Sequence, residues 1–215
     1  MRQSDLFVLL DSVQFRKNYF QNRNRIRTAA GWDWLTVPVL TSGEASQSIV
    51  EVRIRNDRAW RRKHRDALRQ HYGRAPFFAA HFPQLDAIYE REWEGLVDFN
   101  LAVIDWLLGA VGLHKKLVRS STLAVGGSRS QLLANICEVV GAEAYLSGVS
   151  GRDYLDESRF HARGIAVRYQ EFHHPVYRQC YAPFVPEMSA VDLLFNLGPA
   201  SLATLGEAQP QVELA

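Results

Sequence analysis

Short apolar runs alternate with longer amphipathic stretches along this chain. Residues 7–11, FVLLD, read as a buried strand that ends on a carboxylate. WLTVPV at 34–39 and IVEVRI at 49–54 are β-rich and suggest a hairpin-like pair across the long turn TSGEASQS, with Pro38 at an edge. Asp57 is expected to cap a helix running to about Tyr72 and closed by Gly73 and Pro76. Residues 77–93 carry helical spacing interrupted by Pro83, and 96–108 form a strongly apolar helix. A strand is expected around 117–123. A helix follows over 128–140, with Leu132, Leu133, Ile136 and Val140 on one side and Gly141 as its stop. AYLSG at 144–148 is a strand entering a glycine-rich turn, IAVRYQEF at 165–172 another strand, and 189–196 a short helix capped by Ser189. This order predicts an α/β fold: a single domain over residues 1–200, with a mixed, mostly parallel sheet flanked by helices. The strands at 7–10, 144–147 and 165–172 are expected in one sheet, and residues 201–215 as a flexible tail.

Composition changes this picture little. The 215 residues are 47% apolar and 22% charged, a globular balance that excludes disorder and collagen-like repeats. No apolar run approaches the ~18 residues of a membrane helix, and the opening Met-Arg-Gln-Ser-Asp lacks the pattern of a signal peptide. Two cysteines, Cys137 and Cys180, make no disulfide framework, so a cytoplasmic setting is expected. Oligomeric state is not legible.

Charge changes it more. The net charge of +2 hides a cationic N-terminal third. Residues 14–27 hold five basic side chains and no acid; residues 51–75 hold nine basic and three acidic. Such fields attract anions. The segment DSVQFRKNYFQNRNRIR at 11–27 follows the end of a buried strand, where α/β folds bind ligands. Its arginines are forked donors for phosphate or carboxylate, and its Asn and Gln can orient a polar ligand. Arg23 and Arg25 are two apart, so on an extended chain both face one side and can grip one anion. The alternative is a solvated basic loop.

YLSGVSGRDYLD at 145–156 offers Ser147, Gly148, Gly151 and Tyr154 at a strand-to-helix turn, where free backbone N–H groups favour an anion; a plain tight turn is the alternative. Gly126-Gly127-Ser128 reads mainly as a turn with an N-cap. His174, in HHPVY, has a reference pKa suited to general acid–base work. His173, His174 and Cys180 lack a zinc spacing, so no metal site is expected. Neither a phosphate loop nor a dinucleotide fingerprint is present, and no cofactor is assigned. In residues 60–64, WRRKH, a solvated basic helix face competes with RNA binding. RNA binding would need aromatics arranged beside the charge, and nucleic acid is the less favoured partner.

Six stretches together resemble the WbqC-like family: SDLFVLLDSVQFRKNYFQNRNRIRT, WDWLTVPV, WRRKHRDALRQHYGRAPFF, GAEAYLSGVSGRDYLDESRF, GIAVRYQEFHHPVYRQ and SAVDLLFNLG, covering residues 4–198 in the family's order. The resemblance implies work near nucleotide-sugar or glycan modification in bacterial O-antigen and other surface-polysaccharide clusters. The implied reaction is transfer of a small acyl or aminoacyl group to a nucleotide-linked or otherwise phosphorylated sugar. It carries over the polar positions Asp11, Gln14, Lys17, Asn22, Arg23 and Arg25; Trp60, Lys63 and His64; Ser147, Gly148, Gly151 and Tyr154; His174, Pro175 and Tyr177; and Asp192 and Asn196. Asp11 and His174 are the expected proton acceptors, with the rest of the first and glycine-turn sets as substrate-binding residues. The family's usual opening, similar to IHQPxYxPWxGYF, falls upstream of this chain's start. A misassigned start or a genuine loss of that active-site half is therefore expected. A non-catalytic anion- or RNA-binding module, or a partner subunit, is the alternative function.

Overall fold

The computed structural model describes residues 1–40 and 47–207. In chain order its regular elements begin with β1 (Leu6–Leu9), β2 (Arg23–Thr28), β3 (Gly31–Thr36), β4 (Val39–Leu40) and β5 (Arg53–Ile54). Next come α1 (Trp60–Tyr72), α2 (Phe78–Glu90), α3 (Leu96–Ala110), β6 (Lys116–Arg119), α4 (Arg129–Val139) and β7 (Ala144–Gly148). The order closes with α5 (Ser158–His161), β8 (Ala166–Gln170), α6 (Ala190–Leu197) and α7 (Ser201–Glu207). The fold is mixed α/β, as expected. Its described residues fall into two compact units: one built from Met1–Leu10, Lys115–His173 and the residues from Gly206, the other from Asp11–His114 and His174–Leu205. Among the described residues no helix is long and apolar enough to cross a membrane.

In the first unit β1 runs parallel to β6, with Leu6 opposite Lys116, and β7 runs parallel to β8, with Ala144 opposite Ala166. Of the common sheet expected for residues 7–10, 144–147 and 165–172, the last two segments do pair as β7 and β8, whereas β1 lies in a separate ladder with β6. The apolar run of β1 marks a strand without choosing its partner, so β6 was not readable as that partner. The strand expected over 117–123 stops at Arg119 and passes into a 3-10 turn, Ser120–Thr122. The unit's core gathers Ala134 and Cys137 of α4, Phe160 of α5 and Val167 of β8.

In the second unit α1 places Trp60, His64, Leu68 and Tyr72, one per turn, on its buried side. Their rings join Tyr89 of α2 and Phe99 of α3: Trp60 and Phe99 meet edge to face at 5.2 Å. The helix begins at Trp60 with Ala59 at its cap position, so Asp57 lies two residues outside it. Pro83 does not end α2, although a helix-interior proline costs about 3 kcal/mol. Burial of Phe82, Leu85 and Tyr89 on one face, each worth roughly 1.5–3 kcal/mol, offsets that cost. The pairing expected between 34–39 and 49–54 survives only as β4 against β5, Val39 opposite Ile54. Ile49–Glu51 is a 3-10 turn, and residues 41–46 of the expected long turn lie outside the described residues. The β-rich run at Trp34 instead belongs to β3, which pairs antiparallel with β2 across Ala29-Ala30.

Six consecutive residues of α6, Val191 to Asn196, are buried, making it the central helix of this unit. Ser189 sits at its cap position without a side-chain bond; its backbone N–H instead donates to Arg25 O at 2.8 Å. The tail expected from residue 201 begins with α7, where Ser201 is fully buried. Residues 208–215 lie outside the described residues.

Candidate functional site

The segment read as a basic loop delivers its arginines on a strand. β2 sends Ile26 into the hydrophobic core and Arg23, Arg25 and Arg27 to the opposite side. Arg23 lies over the Trp34 ring, its Cζ 4.0 Å from the centroid. Arg25 lies 4.8 Å from the Trp32 centroid and 5.3 Å from that of Trp34. Phe20 meets Trp34 at 5.5 Å, Trp32 meets Trp34 at 5.5 Å and Tyr19 meets Phe20 at 5.7 Å, all edge to face. Tyr19, Phe20 and Trp32 are 52%, 50% and 45% exposed, so this is an open aromatic surface with two guanidinium groups laid into it. Arg25 Nη1 also pairs with Glu187 Oε2 at 3.2 Å, an acid 162 residues away in sequence. Among the described residues Arg23 has no carboxylate partner, and the Nε of each arginine is buried without an acceptor.

Arg27, one step further along β2, is 1% exposed. Its guanidinium donates to the carbonyls of Thr28 and Gly31 in the β2–β3 hairpin and to those of Tyr181 and Pro183, with Nε on Gln179 Oε1 at 3.2 Å. Gln179 Nε2 donates to Val185 O and to Asp192 Oδ2, both at 2.9 Å. The Tyr177 hydroxyl donates to the same Asp192 oxygen at 2.6 Å, and the Arg27 N–H donates to the Tyr72 hydroxyl at 2.7 Å. Burial pushes the Asp192 carboxyl above its ordinary range, against the donors from Tyr177 and Gln179. Desolvation and the neighbouring Asp192 likewise raise Tyr72 and Tyr177. This network joins β2, α1, α6 and the irregular run at 174–189.

His174 heads that run. Its ring lies 6.4 Å from Tyr177, nearly parallel, and 5.8 Å from Phe184. Its Nδ1 is 3.0 Å from Pro175 O. A carbonyl only accepts, so this contact places the hydrogen on Nδ1.

The other expected site residues take varied positions. Asp11 is 1% exposed, and its carbonyl accepts the Val50 N–H. Gln14 is exposed and bridges to Ser48; Lys17 is exposed. Asn22 is buried, with Nδ2 donating to Val37 O at 2.9 Å, so half its amide is engaged in the fold. These residues, with Arg23, Arg25 and His174, belong to the second unit. Ser147, Gly148, Gly151 and Tyr154 belong to the first unit: the first two end β7, Gly151 lies in the 3-10 turn Val149–Asp153 that follows, and Tyr154 caps that turn. There a Cβ on Gly151 would stand 2.0 Å from Ser147 Oγ, so a larger residue would push the buried serine hydroxyl aside. Tyr154 is 64% exposed.

The WRRKH helix divides by face. Trp60 and His64 are core residues, and Lys63 is exposed. Arg65 grips Asp86 through two bonds, 2.6 and 2.8 Å, and Arg69 adds another at 2.9 Å. The Arg65 hydrogen bonds hold the Asp86 carboxyl below its ordinary range. Part of the basic field is thus consumed inside the fold. Among the described residues no cluster of three or more His, Cys, Asp and Glu side chains is placed to hold a metal ion.

Sequence reasoning missed Trp32, Trp34 and Phe20 as neighbours of the arginines, and Arg27 with Gln179 as a buried pair. The alternation Trp32-Asp33-Trp34 after Gly31 was the available signal for the first group. Nothing local marks the second.

The sequence model of the WbqC-like protein family matches residues 1–204. The "Uncharacterized protein Rv1507c" of Mycobacterium tuberculosis (strain ATCC 25618 / H37Rv) is 34% identical over 196 residues, 90% of this chain and 84% of that protein. No solved structure matches.

Proposed function

The chain belongs to the WbqC-like protein family, and from that premise we propose that it is a transferase placing a small acyl or aminoacyl group on a nucleotide-linked or otherwise phosphorylated sugar, in surface-polysaccharide biosynthesis. The observation that supports this most directly is the pair Arg23 and Arg25, side by side on one face of β2 with both guanidinium groups against Trp34. Two forked cations on a rigid strand suit a phosphate or diphosphate, which accepts several charge-assisted bonds at once. In this reading the attacking amine or hydroxyl of the sugar gives its proton to His174 or to Asp11 as it adds to the acyl carbonyl, and the donor's leaving group departs with the bonding electrons. The rival reading, a polyanion-binding module on α1, is weakened because Arg65 and Arg69 are engaged by Asp86.

Calorimetric titration of a panel of nucleotide sugars tests the reading. Arg23→Ala is expected to weaken binding at least about tenfold, the equivalent of ~1.4 kcal/mol. Loss of its stacking on Trp34 lowers stability by only about 0.5–1 kcal/mol. Equal affinity in the two proteins would remove the phosphate grip from the reading. Mass spectrometry of small molecules that co-purify with the protein identifies the sugar independently.

A further inference from the structure

Resting on that reading, we infer that the open aromatic surface of the β2–β3 hairpin is a nucleobase-stacking subsite: the substrate is a nucleoside diphosphate derivative whose base stacks on Trp32 while its diphosphate lies on Arg23 and Arg25. Trp32, Trp34 and Arg23 follow one another at 5.5 and 4.0 Å, so a flat ring and an anion can be held on neighbouring groups. Trp32 is 45% exposed, and Phe20, 50% exposed, meets Trp34 edge to face. A core explains neither ring. Each ring of the Trp32–Trp34 pair carries a guanidinium against it, so the surface presents π faces and positive charge together. A purely apolar partner would strip water from Arg23 without supplying an acceptor. A sugar phosphate without a base would leave the open rings unused. A base joined to a diphosphate satisfies both features, and base–aromatic stacking is worth about 5- to 150-fold in affinity.

The test compares uridine diphosphate with inorganic pyrophosphate by calorimetry, on the intact chain and on Trp32→Ala, Trp32→Phe and Arg23→Ala, with circular dichroism to verify folding. The wild type is expected to bind uridine diphosphate at least about fivefold more tightly than pyrophosphate. Trp32→Ala should erase that advantage without changing pyrophosphate affinity, Trp32→Phe should keep most of it, and Arg23→Ala should weaken both ligands. Equal wild-type affinity for the two probes, or a folded Trp32→Ala that still prefers uridine diphosphate, overturns the stacking subsite and leaves the phosphate grip standing. An Arg23→Ala protein that binds both ligands like the wild type, or no binding of either probe to the wild type, overturns the grip and with it this inference. A single-stranded oligonucleotide that outcompetes uridine diphosphate, with an affinity falling steeply as salt rises, overturns it in favour of a polymer ligand.

Discussion

His64 is 5% exposed, with Nε2 3.0 Å from Thr36 O and Nδ1 3.3 Å from the Tyr89 hydroxyl. The carbonyl takes the Nε2 hydrogen and the hydroxyl donates to Nδ1, so the neutral ring is satisfied on both sides. Desolvation drops its pKa to about 4, only partly opposed by the bond to Thr36. An unfolded histidine takes up its proton near pH 6.5. Between those values the unfolded chain binds more protons than the folded one, so stability falls as pH drops from about 6.5 toward 4, by roughly 2–3 kcal/mol at pH 4.5. Urea midpoints at pH 7 and pH 4.5 for the wild type and His64→Gln check this: the variant starts less stable but loses less between the two pH values. Equal losses would remove His64 as the source. The same residue reads in the sequence as one more member of a basic run, because i, i+4 spacing assigns it to the face of Trp60 and Leu68 without saying how completely that face is buried.

At the scale of elements, the buried helix α6 depends on how it ends. Gly198 has φ +51° and ψ −122°, a conformation open to glycine alone, and a Cβ there would stand 2.4 Å from the Phe77 ring. Gly112 also has positive φ, +72°, but open space around it. Gly198→Ala is therefore expected to cost about 2–4 kcal/mol, strain plus overpacking, and Gly112→Ala only about 1–2 kcal/mol. Scanning calorimetry should place the Gly198 variant several degrees below the Gly112 variant. Melting temperatures in the reverse order would mean that Phe77 yields to the added methyl. Sequence patterning located α1, α3, α4, β7 and β8 well, because each carries its own periodic face. It misplaced β3, whose tryptophans face outward and mimic a core run.

At the scale of the molecule, each unit is assembled from segments distant in the chain, and the second is tied together by Arg27. Its guanidinium reaches carbonyls at Thr28 and Gly31 on one side and at Tyr181 and Pro183 on the other. Arg27→Lys keeps the charge but loses the fork, so it is expected to destabilise the protein by about 3 kcal/mol or more. Limited proteolysis should then cut residues 174–189 earlier than the helices at 60–110. A lysine variant as resistant as the wild type would show that the carbonyls need only a charge.

The sequence by itself determined the mixed α/β class, most helices, the glycine turn after β7 and the family. All of these follow from local periodicity or contiguous motifs, which a short stretch of chain encodes completely. Only the tertiary structure decided that Arg25 meets Glu187, that Arg27 is buried while its neighbours two and four residues back are not, and that Trp32 and Phe20 stay open beside the arginines. Strand alternation puts all three arginines on the same side. Which of them is covered depends on where the run at 174–189 crosses β2, and that is settled by contacts more than 150 residues apart along the chain.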